Sequence, residues 1–254
     1  MPKVKVKRKS TFIDMTAMSD VTVLLLTFFM LTATFVKKEP VQVTTPPSVS
    51  DSKIPENNIM QILIDHWTDG EGNDLGRIFL TLDKPADIME VLKRVGKVYG
   101  VEFTEDELKN AGYLTSIGVP IIRNETAPNQ ATVQQAITLI NQDKVTAKNP
   151  IGMKLFLALP QEYRDKAEKN LGIPNDSINN QFKAWMVTTR AWMDETERQG
   201  RQFTIAIKAG ATTPYPVIKR VMNDLRELNE NRYNLITSLK GGSSTGKSSE
   251  EGAH

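Results

Sequence analysis

The sequence contains one long segment without charge. From Val21 to Val36 there is no Asp, Glu, Lys or Arg, and within Met18–Val36 the only formal charge is that of Asp20. Nineteen residues in a helix extend about 29 Å, which matches the roughly 30 Å thickness of a bilayer core. We therefore predict a single N-terminal transmembrane α-helix over residues 12–36, because no later apolar run is long enough for a second span.

The charges that flank this segment predict its orientation. Five Lys or Arg residues lie in the first nine positions, whereas only Lys37 and Lys38 directly follow the apolar run. Basic residues are retained on the cytoplasmic side, so residues 1–11 should form a cytoplasmic tail. The part of the chain that follows the span should lie on the opposite side of the membrane. The alternative is a cleaved signal peptide with a small-residue site near residues 32–34. The length of the apolar run and the acid inside it argue against this alternative.

Asp20 is the candidate functional residue. A carboxylate at the centre of a membrane helix costs about 2.5–3.5 kcal/mol on insertion scales, and it usually marks a proton path, an ion site or a contact with a partner helix. The alternative is that Ser19 and Asp20 cap the helix near the lipid headgroups. Because apolar residues also precede Asp20, we favour a functional acid.

Helical geometry places further side chains on the face of Asp20. Thr27 and Thr34 follow it by seven and fourteen residues, with Leu24 and Leu31 between them. We predict that the threonines line a proton path or pack against another helix, and that the leucines contact a partner helix. For Thr27 the alternative stays open, since a membrane threonine can hydrogen-bond its own helix backbone.

The rest of the chain predicts a tether, one folded domain and a tail. Residues 37–57 are rich in Pro, Val, Thr and Ser, which favours an extended linker. Residues 58–240 predict an α+β domain, with a small sheet and helices on one of its faces. Residues 241–254 have the Gly, Ser and charge content of a disordered segment. Hydrophobic periodicity predicts strands at 59–64, 77–82, 202–207 and 233–239, and helices at 85–99, 105–112, 130–142, 161–170, 178–198 and 215–230.

Composition argues against most enzyme chemistry. The chain has no cysteine, which excludes disulfides, thiolate catalysis and Cys-ligated zinc. His66 is better explained as a surface or hairpin residue than as a metal ligand, and Trp185 and Trp192 as core residues than as a ligand platform. We therefore assign no catalytic residue, no metal and no cofactor, and we expect that the protein is not an enzyme. The formal charge of +2 also argues against a broad nucleic-acid-binding face.

The tail contains a motif that we interpret as accidental. Residues 241–248 match the phosphate-loop pattern G-x-x-x-x-G-K-[ST]. That loop requires a following helix whose N-terminus faces the phosphates, and the six residues after the match do not predict one. We therefore do not predict nucleotide binding.

The membrane segment resembles that of a known family. The run Asp14–Val21, followed by the apolar residues Leu24–Met30, resembles the membrane segment of the ExbD/TolR biopolymer transport family. Ala17 stands where the family usually has proline. The strand, helix and strand predicted over 203–237 are similar to the ending of that family's domain.

The resemblance covers about residues 1–82 and 178–240. The intervening stretch, about 84–177, is longer than the family's usual domain. We therefore predict that this stretch is a mainly helical insertion in the α+β domain.

The resemblance implies a proton-driven motor. In such proteins the aspartate that matches Asp20 carries protons, and two copies of the chain lie within a ring of ExbB/TolQ-like multi-span subunits. It also implies the inner membrane of a Gram-negative bacterium, with a periplasmic C-terminal domain. A TonB-like or peptidoglycan-linked periplasmic partner then receives the force that energises transport across the outer membrane.

Two other functions remain open on the residues alone. The chain could be a membrane-anchored structural or peptidoglycan-binding protein in which Asp20 only pairs with a partner helix. It could also be a tethered periplasmic enzyme, although the sequence offers no catalytic constellation for one.

Overall fold

The computed structural model describes residues 15–32, 43–48, 58–68, 74–146, 148–176, 179–197, 200, 203–236 and 238–239. The chain divides into two units, Met1–Lys38 and Glu39–His254. The described part of the first unit is a single helix, α1, which extends over Met15–Thr32.

The second unit contains the remaining elements. Its strands are β1 (Pro47–Ser48), β2 (Ile59–Thr68), β3 (Asp74–Leu82), β4 (Thr204–Ala209), β5 (Tyr233–Ile236) and β6 (Ser238–Leu239). Its helices are α2 (Pro85–Tyr99), α3 (Glu105–Gly112), α4 (Gln130–Asn141), α5 (Met153–Ala158), α6 (Gln161–Glu168), α7 (Gln181–Glu197) and α8 (Tyr215–Glu227). This composition is that of an α+β domain with a small sheet.

A hairpin begins the main sheet. β2 and β3 pair in antiparallel register from Met60 opposite Leu82 to Thr68 opposite Asp74. β4 adds to the other side of β2 in parallel, and β5 adds in parallel to β4, so the order is β3-β2-β4-β5. Parallel neighbours need a crossover connection, and α8 supplies it between β4 and β5. A separate two-stranded pair joins β1 and β6.

The helices share one apolar core with one face of the sheet. Alternate residues of β2, such as Ile62 and Ile64, point to this face and are fully buried. The same cluster includes residues of β3 and β4 and the apolar faces of three helices: Ile78, Leu80, Ile205 and Ile207 from the strands, and Ile88, Val91, Leu92, Val95, Phe182, Trp185, Val217, Val221 and Leu225 from α2, α7 and α8. Burial of this continuous surface is the main force that holds the helices on the sheet.

At its centre, the opposite face of the sheet is covered by other segments of the chain and is not exposed to solvent. Leu63 and Phe79 are buried there, at 1% and 0% exposure. A Cβ at Gly118 would lie 2.1 Å from the Phe79 ring, so glycine is what lets the loop pass directly over that ring.

Two loop segments also continue the sheet beyond β3. Ile117 and Leu80 exchange backbone hydrogen bonds of 2.7 and 2.9 Å, and the Ile173 N–H donates to Ile78 O at 2.8 Å. Both segments belong to the stretch 84–177, and α2 within it buries its apolar face in the common core. This stretch therefore completes the sheet and its core, whether or not it is an insertion relative to the family.

Most elements predicted from periodicity are confirmed. The hairpin, α2, α3, α4, α6, α7 and α8 lie within a few residues of their predicted positions. β4 begins at Thr204 rather than at residue 202. The single strand predicted at 233–239 is divided into β5 and β6, which belong to different sheets. Two further elements were not predicted: β1, which lies in the Pro-rich linker, and α5, which has only six residues. Six residues are too few for a helical period to be recognised.

A distant carboxylate caps α5. The N-cap residue Gly152 has no side chain to accept from the first turn. Instead the Glu125 carboxylate accepts from the Lys154 N–H at 3.1 Å and from the Leu155 N–H at 3.0 Å. Burial raises the pKa of the Glu125 carboxyl above its ordinary value of 4.5, and the two backbone donors lower it in part.

We expect Glu125→Ala to lower the free energy of unfolding by about 1–2 kcal/mol, because two N–H groups of α5 lose their acceptor. The raised pKa also predicts the direction in which stability changes with pH. Above 4.5 and below the folded pKa, the folded state binds more protons at Glu125 than the unfolded state does. Wild-type stability should therefore fall as pH rises through that window, and Glu125→Ala should remove this slope.

Urea unfolding of both proteins at several pH values measures the two effects. Glu102→Ala is the matched control, since it also removes a glutamate side chain, but one that is exposed and caps none of the described helices. An unchanged midpoint and an unchanged pH slope in Glu125→Ala would contradict the capping role.

Candidate functional site

The residue predicted to be functional lies in the first half of α1. Asp20 is the only charged residue of Met15–Thr32, and every residue from Met18 to Thr32 is exposed within the chain. α1 is 18 residues long, so it extends about 27 Å. Among the described residues, no helix combines the length and the apolar character that crossing a bilayer requires.

The predicted span is wider than α1. Residues 12–14 and 33–36 lie outside the described residues, and so does Thr34, one of the two threonines placed on the Asp20 face. The structure therefore gives the position of Asp20, Leu24, Thr27 and Leu31 on one helix but not that of Thr34.

Asp20 and three further residues share one face of α1. Offsets of four, seven and eleven residues bring Leu24, Thr27 and Leu31 within about 40° of Asp20 around the helix axis. The two leucines are 61% and 87% exposed, so both are available for a contact with another helix. Asp20 therefore stands in a stripe that is otherwise apolar except for one hydroxyl.

The threonine hydroxyls of α1 bond to their own helix. Thr27 Oγ1 donates to Leu24 O at 2.9 Å, Thr22 Oγ1 to Ser19 O at 2.8 Å, and Thr32 Oγ1 to Phe28 O at 2.8 Å. Thr27 thus makes the local backbone bond that was named as the alternative, and its role in a proton path or a helix contact stays a prediction. No second titratable group stands beside Asp20 on the described part of α1, so a proton carried here has to come from and leave to groups outside this helix.

The remaining surface of α1 is mainly apolar. Exposed Val, Leu and Phe side chains surround the helix, and the rings of Phe28 and Phe29 make an edge-to-face contact with centroids 5.9 Å apart. A contiguous apolar surface of this kind marks contact with a partner or with lipid.

Several candidate residues of the second unit lie in the described part of the chain. They contain no group of three or more His, Asp or Glu side chains placed to hold a metal ion. His66 lies on β2 opposite Gly76, half-buried in the hairpin as predicted. Trp185 and Trp192 are buried at 0% and 8% exposure, so the prediction that they are core residues is confirmed. The phosphate-loop match at 241–248 lies outside the described residues.

One buried charge pair was not predicted. Arg77 Nη2 donates to Asp65 Oδ2 across the hairpin, and both side chains are largely buried. The signal that could have found it is opposite charge at facing positions of two strands. That signal becomes usable only once the register of the hairpin is known.

Comparison with known proteins identifies one family. A family model described as biopolymer transport protein ExbD/TolR matches residues 6–240, which includes α1 and all the described elements of the second unit. No curated protein and no solved structure matched this chain.

Proposed function

The chain belongs to the ExbD/TolR family of biopolymer transport proteins, and from this premise we propose that it is the membrane subunit of a motor driven by the proton-motive force. Asp20 is the proton carrier in this proposal. The motor energises transport across the outer membrane with a TonB-like partner.

The observation that carries the proposal is the isolation of Asp20. It is the only charged residue on an 18-residue helix whose other side chains are apolar or carry only a hydroxyl group. Acids in such surroundings are costly, and they are found where protons or ions move or where a partner helix binds. A proton carrier needs one titratable group that a partner can expose alternately to the two sides of the membrane, and α1 has such a group in Asp20.

The proposed topology places α1 within a membrane span over residues 12–36. Its basic N-terminal tail favours the cytoplasmic side, and the second unit would then lie in the periplasm of a Gram-negative bacterium, attached to the inner membrane. The linker of residues 37–57 connects the two.

The proposed partners follow from the faces of α1. An ExbB/TolQ-like multi-span subunit would form a ring around two copies of this chain, as the family implies. Leu24 and Leu31 would contact the partner helices on either side of Thr27. Binding and release of a proton at Asp20 then changes which contacts are favourable, and the helix turns or shifts.

The second unit would pass this movement to a periplasmic partner, which is TonB-like or linked to peptidoglycan. Its sheet and helices share one continuous core. A unit packed in this way moves as one body and can transmit a displacement. The proposal assigns the chain no enzymatic activity, no cofactor and no metal.

Purification of the chain from its native membrane tests the proposal. We expect a multi-span protein to co-purify, and the complex in liposomes to conduct protons when a gradient is imposed. If the chain instead purifies with peptidoglycan and without a multi-span protein, and the liposomes conduct no protons, the chain is an anchor in which Asp20 only pairs with a partner helix.

A further inference from the structure

A groove crosses the surface of the second unit between the C-terminal end of α2 and the N-terminal end of α7. Its volume is about 440 Å³, which is within the range of ligand-binding sites. Tyr99 and three prolines contribute to its walls: Pro120, Pro150 and Pro174. Proline has a fixed φ and no N–H to donate, so these walls are stiff and largely apolar.

Arg123 brings an accessible positive charge to this groove. Its guanidinium lies over the ring of Tyr99, with Cζ 5.8 Å from the ring centroid. The side chain is exposed, and it forms no ion pair within the described part of the chain. Stacking on an aromatic ring orients the plane of a guanidinium and leaves the N–H donors at its edge open to an acceptor.

The other charged groups near the groove are already engaged. Lys148 interacts with another group of the chain, and Asp176 Oδ1 lies 3.7 Å from Arg220 Nη1. Asp176 is the only acid among the described residues that line the groove. The carboxylate of Glu125, two residues after Arg123, accepts from two backbone N–H groups of α5. Selection for charge in the groove therefore depends on Arg123, which favours an anion.

The backbone that carries Arg123 is held in place on both sides. Before it, the side chain of Gln181 bonds both backbone groups of Ile121: the Ile121 N–H donates to Oε1, and Nε2 donates to the Ile121 O, each at 2.9 Å. After it, the Asn124 N–H donates to Tyr99 O at 3.0 Å. A wall that is fixed before binding lowers the entropy cost of ordering a ligand against it.

The groove continues into two neighbouring depressions. Ile122 and Arg123 also line one of about 360 Å³ at the N-terminal end of α4. Pro174 and Asp176 also line one of about 300 Å³, which lies beside Arg77. Because the three spaces adjoin, a ligand in the groove can extend beyond it. This shape suits an extended chain that passes through the groove better than a compact small molecule.

We propose that this groove binds an extended segment of a partner protein, and that an acidic side chain of that segment pairs with Arg123. A carboxylate offers two coplanar acceptor oxygens, which match the donors of a guanidinium. Apolar side chains of the same segment would pack on the proline walls and on Ile122, which is 45% exposed. Binding of extended peptides in aromatic-lined grooves is a recurring mode of recognition.

The proposal is independent of the motor. The walls of the groove lie within residues 99–181, far along the sequence from Asp20. The groove could bind its partner if Asp20 carried no protons, and it could fail to bind one while the motor proposal held.

Selection from a phage library of random nine-residue peptides tests the proposal, with the full-length protein in detergent as the target. We expect the enriched peptides to carry Asp or Glu beside an apolar residue. Calorimetric titration then compares the most enriched peptide, the same peptide with its acid replaced by the amide, and sodium acetate. The amide form should bind at least about tenfold more weakly, because a charge-assisted hydrogen bond is lost.

Three results of these measurements would overturn the proposal. They are a selection that enriches no acidic peptides, equal affinity of the acid and amide forms, and binding of acetate as tight as that of the peptide. The last result would identify a site for a small acid instead of a protein segment.

Arg123→Gln locates the binding site. It should weaken binding of the acidic peptide about tenfold or more and leave binding of the amide form unchanged. Arg226→Gln removes another exposed arginine, on α8 and outside the groove, and as the matched control it should bind as the wild type does. Unchanged affinity in Arg123→Gln, or equal losses in both variants, would show that the peptide does not bind through Arg123.

Melting curves of both variants check that the fold is retained. If Arg123→Gln lowers the melting temperature, Arg123→Lys takes its place. Lysine keeps the charge but lacks the planar pair of donors, so binding should still weaken severalfold. Wild-type affinity in Arg123→Lys would then contradict the proposed pairing.

Discussion

Asp20→Asn should abolish energy-dependent transport while the protein still accumulates in the membrane and still binds its partner subunit. The substitution keeps the size and the hydrogen-bonding shape of the side chain but removes the group that binds and releases a proton. If proton transfer through Asp20 drives the motor, no other described residue of α1 can replace it, because Asp20 is the only titratable group of Met15–Thr32. We expect the transport rate to fall to that of a strain without the protein.

The measurement is substrate uptake through the outer membrane, with and without an uncoupler, in cells whose levels of the variant match the wild type. Co-purification of the multi-span subunit shows whether assembly persists. Thr27→Val is the matched control on the same face of the helix. Its hydroxyl bonds Leu24 O within the helix, so an isosteric apolar side chain should leave uptake within about twofold, since an exposed local bond of this kind contributes little.

Two outcomes would contradict this reading of Asp20. Normal uptake in Asp20→Asn would show that the carboxylate is not a proton carrier. Loss of the multi-span subunit from the purified complex would show that Asp20 holds a partner helix, which is the role expected in a membrane anchor.

Trp185→Ala should lower the free energy of unfolding of the second unit by about 3–5 kcal/mol. Trp185 is fully buried in the N-terminal part of α7 and belongs to the cluster that joins the helices to the sheet. Its removal leaves a cavity that the neighbouring side chains can fill only in part. A loss of this size is a large fraction of the stability of an ordinary domain.

Trp185→Phe is the matched variant. The Trp185 Nε1 donor has no hydrogen-bond partner among the residues that the structure describes, so phenylalanine removes an unsatisfied donor while it retains most of the buried ring. We expect it to cost about 1–2 kcal/mol, which is clearly less than alanine does.

Urea unfolding followed by circular dichroism measures both variants. Equal losses for the two variants would show that the indole nitrogen is satisfied by a group inside the core. A loss below 1 kcal/mol for alanine would show that this part of the core collapses around the smaller side chain.

Much of this protein follows from its sequence because the relevant signals are local. The short apolar, β-branched run that ends at Ile64, ahead of a turn cluster, predicts a strand, and the apolar spacing of Ile88, Val91 and Val95 predicts α2. α8 is predicted in the same way. The position of Asp20 within an uncharged run is likewise a property of neighbouring residues, so no tertiary contact is needed to single it out.

The features that only the tertiary structure determines bring together residues that are far apart along the chain. The cap of α5 comes from Glu125, 29 residues before its nearer partner Lys154. The pairing of Arg77 with Asp65 depends on the hairpin register, and the cavity beside Arg77 depends on a loop at Gly172 and on α8. Such contacts arise only when several elements are packed together, because their energy depends on relative placement and not on any local period. The sequence by itself thus determined which acid to test in the helix, and only the packed structure revealed that Arg77 is buried against Asp65.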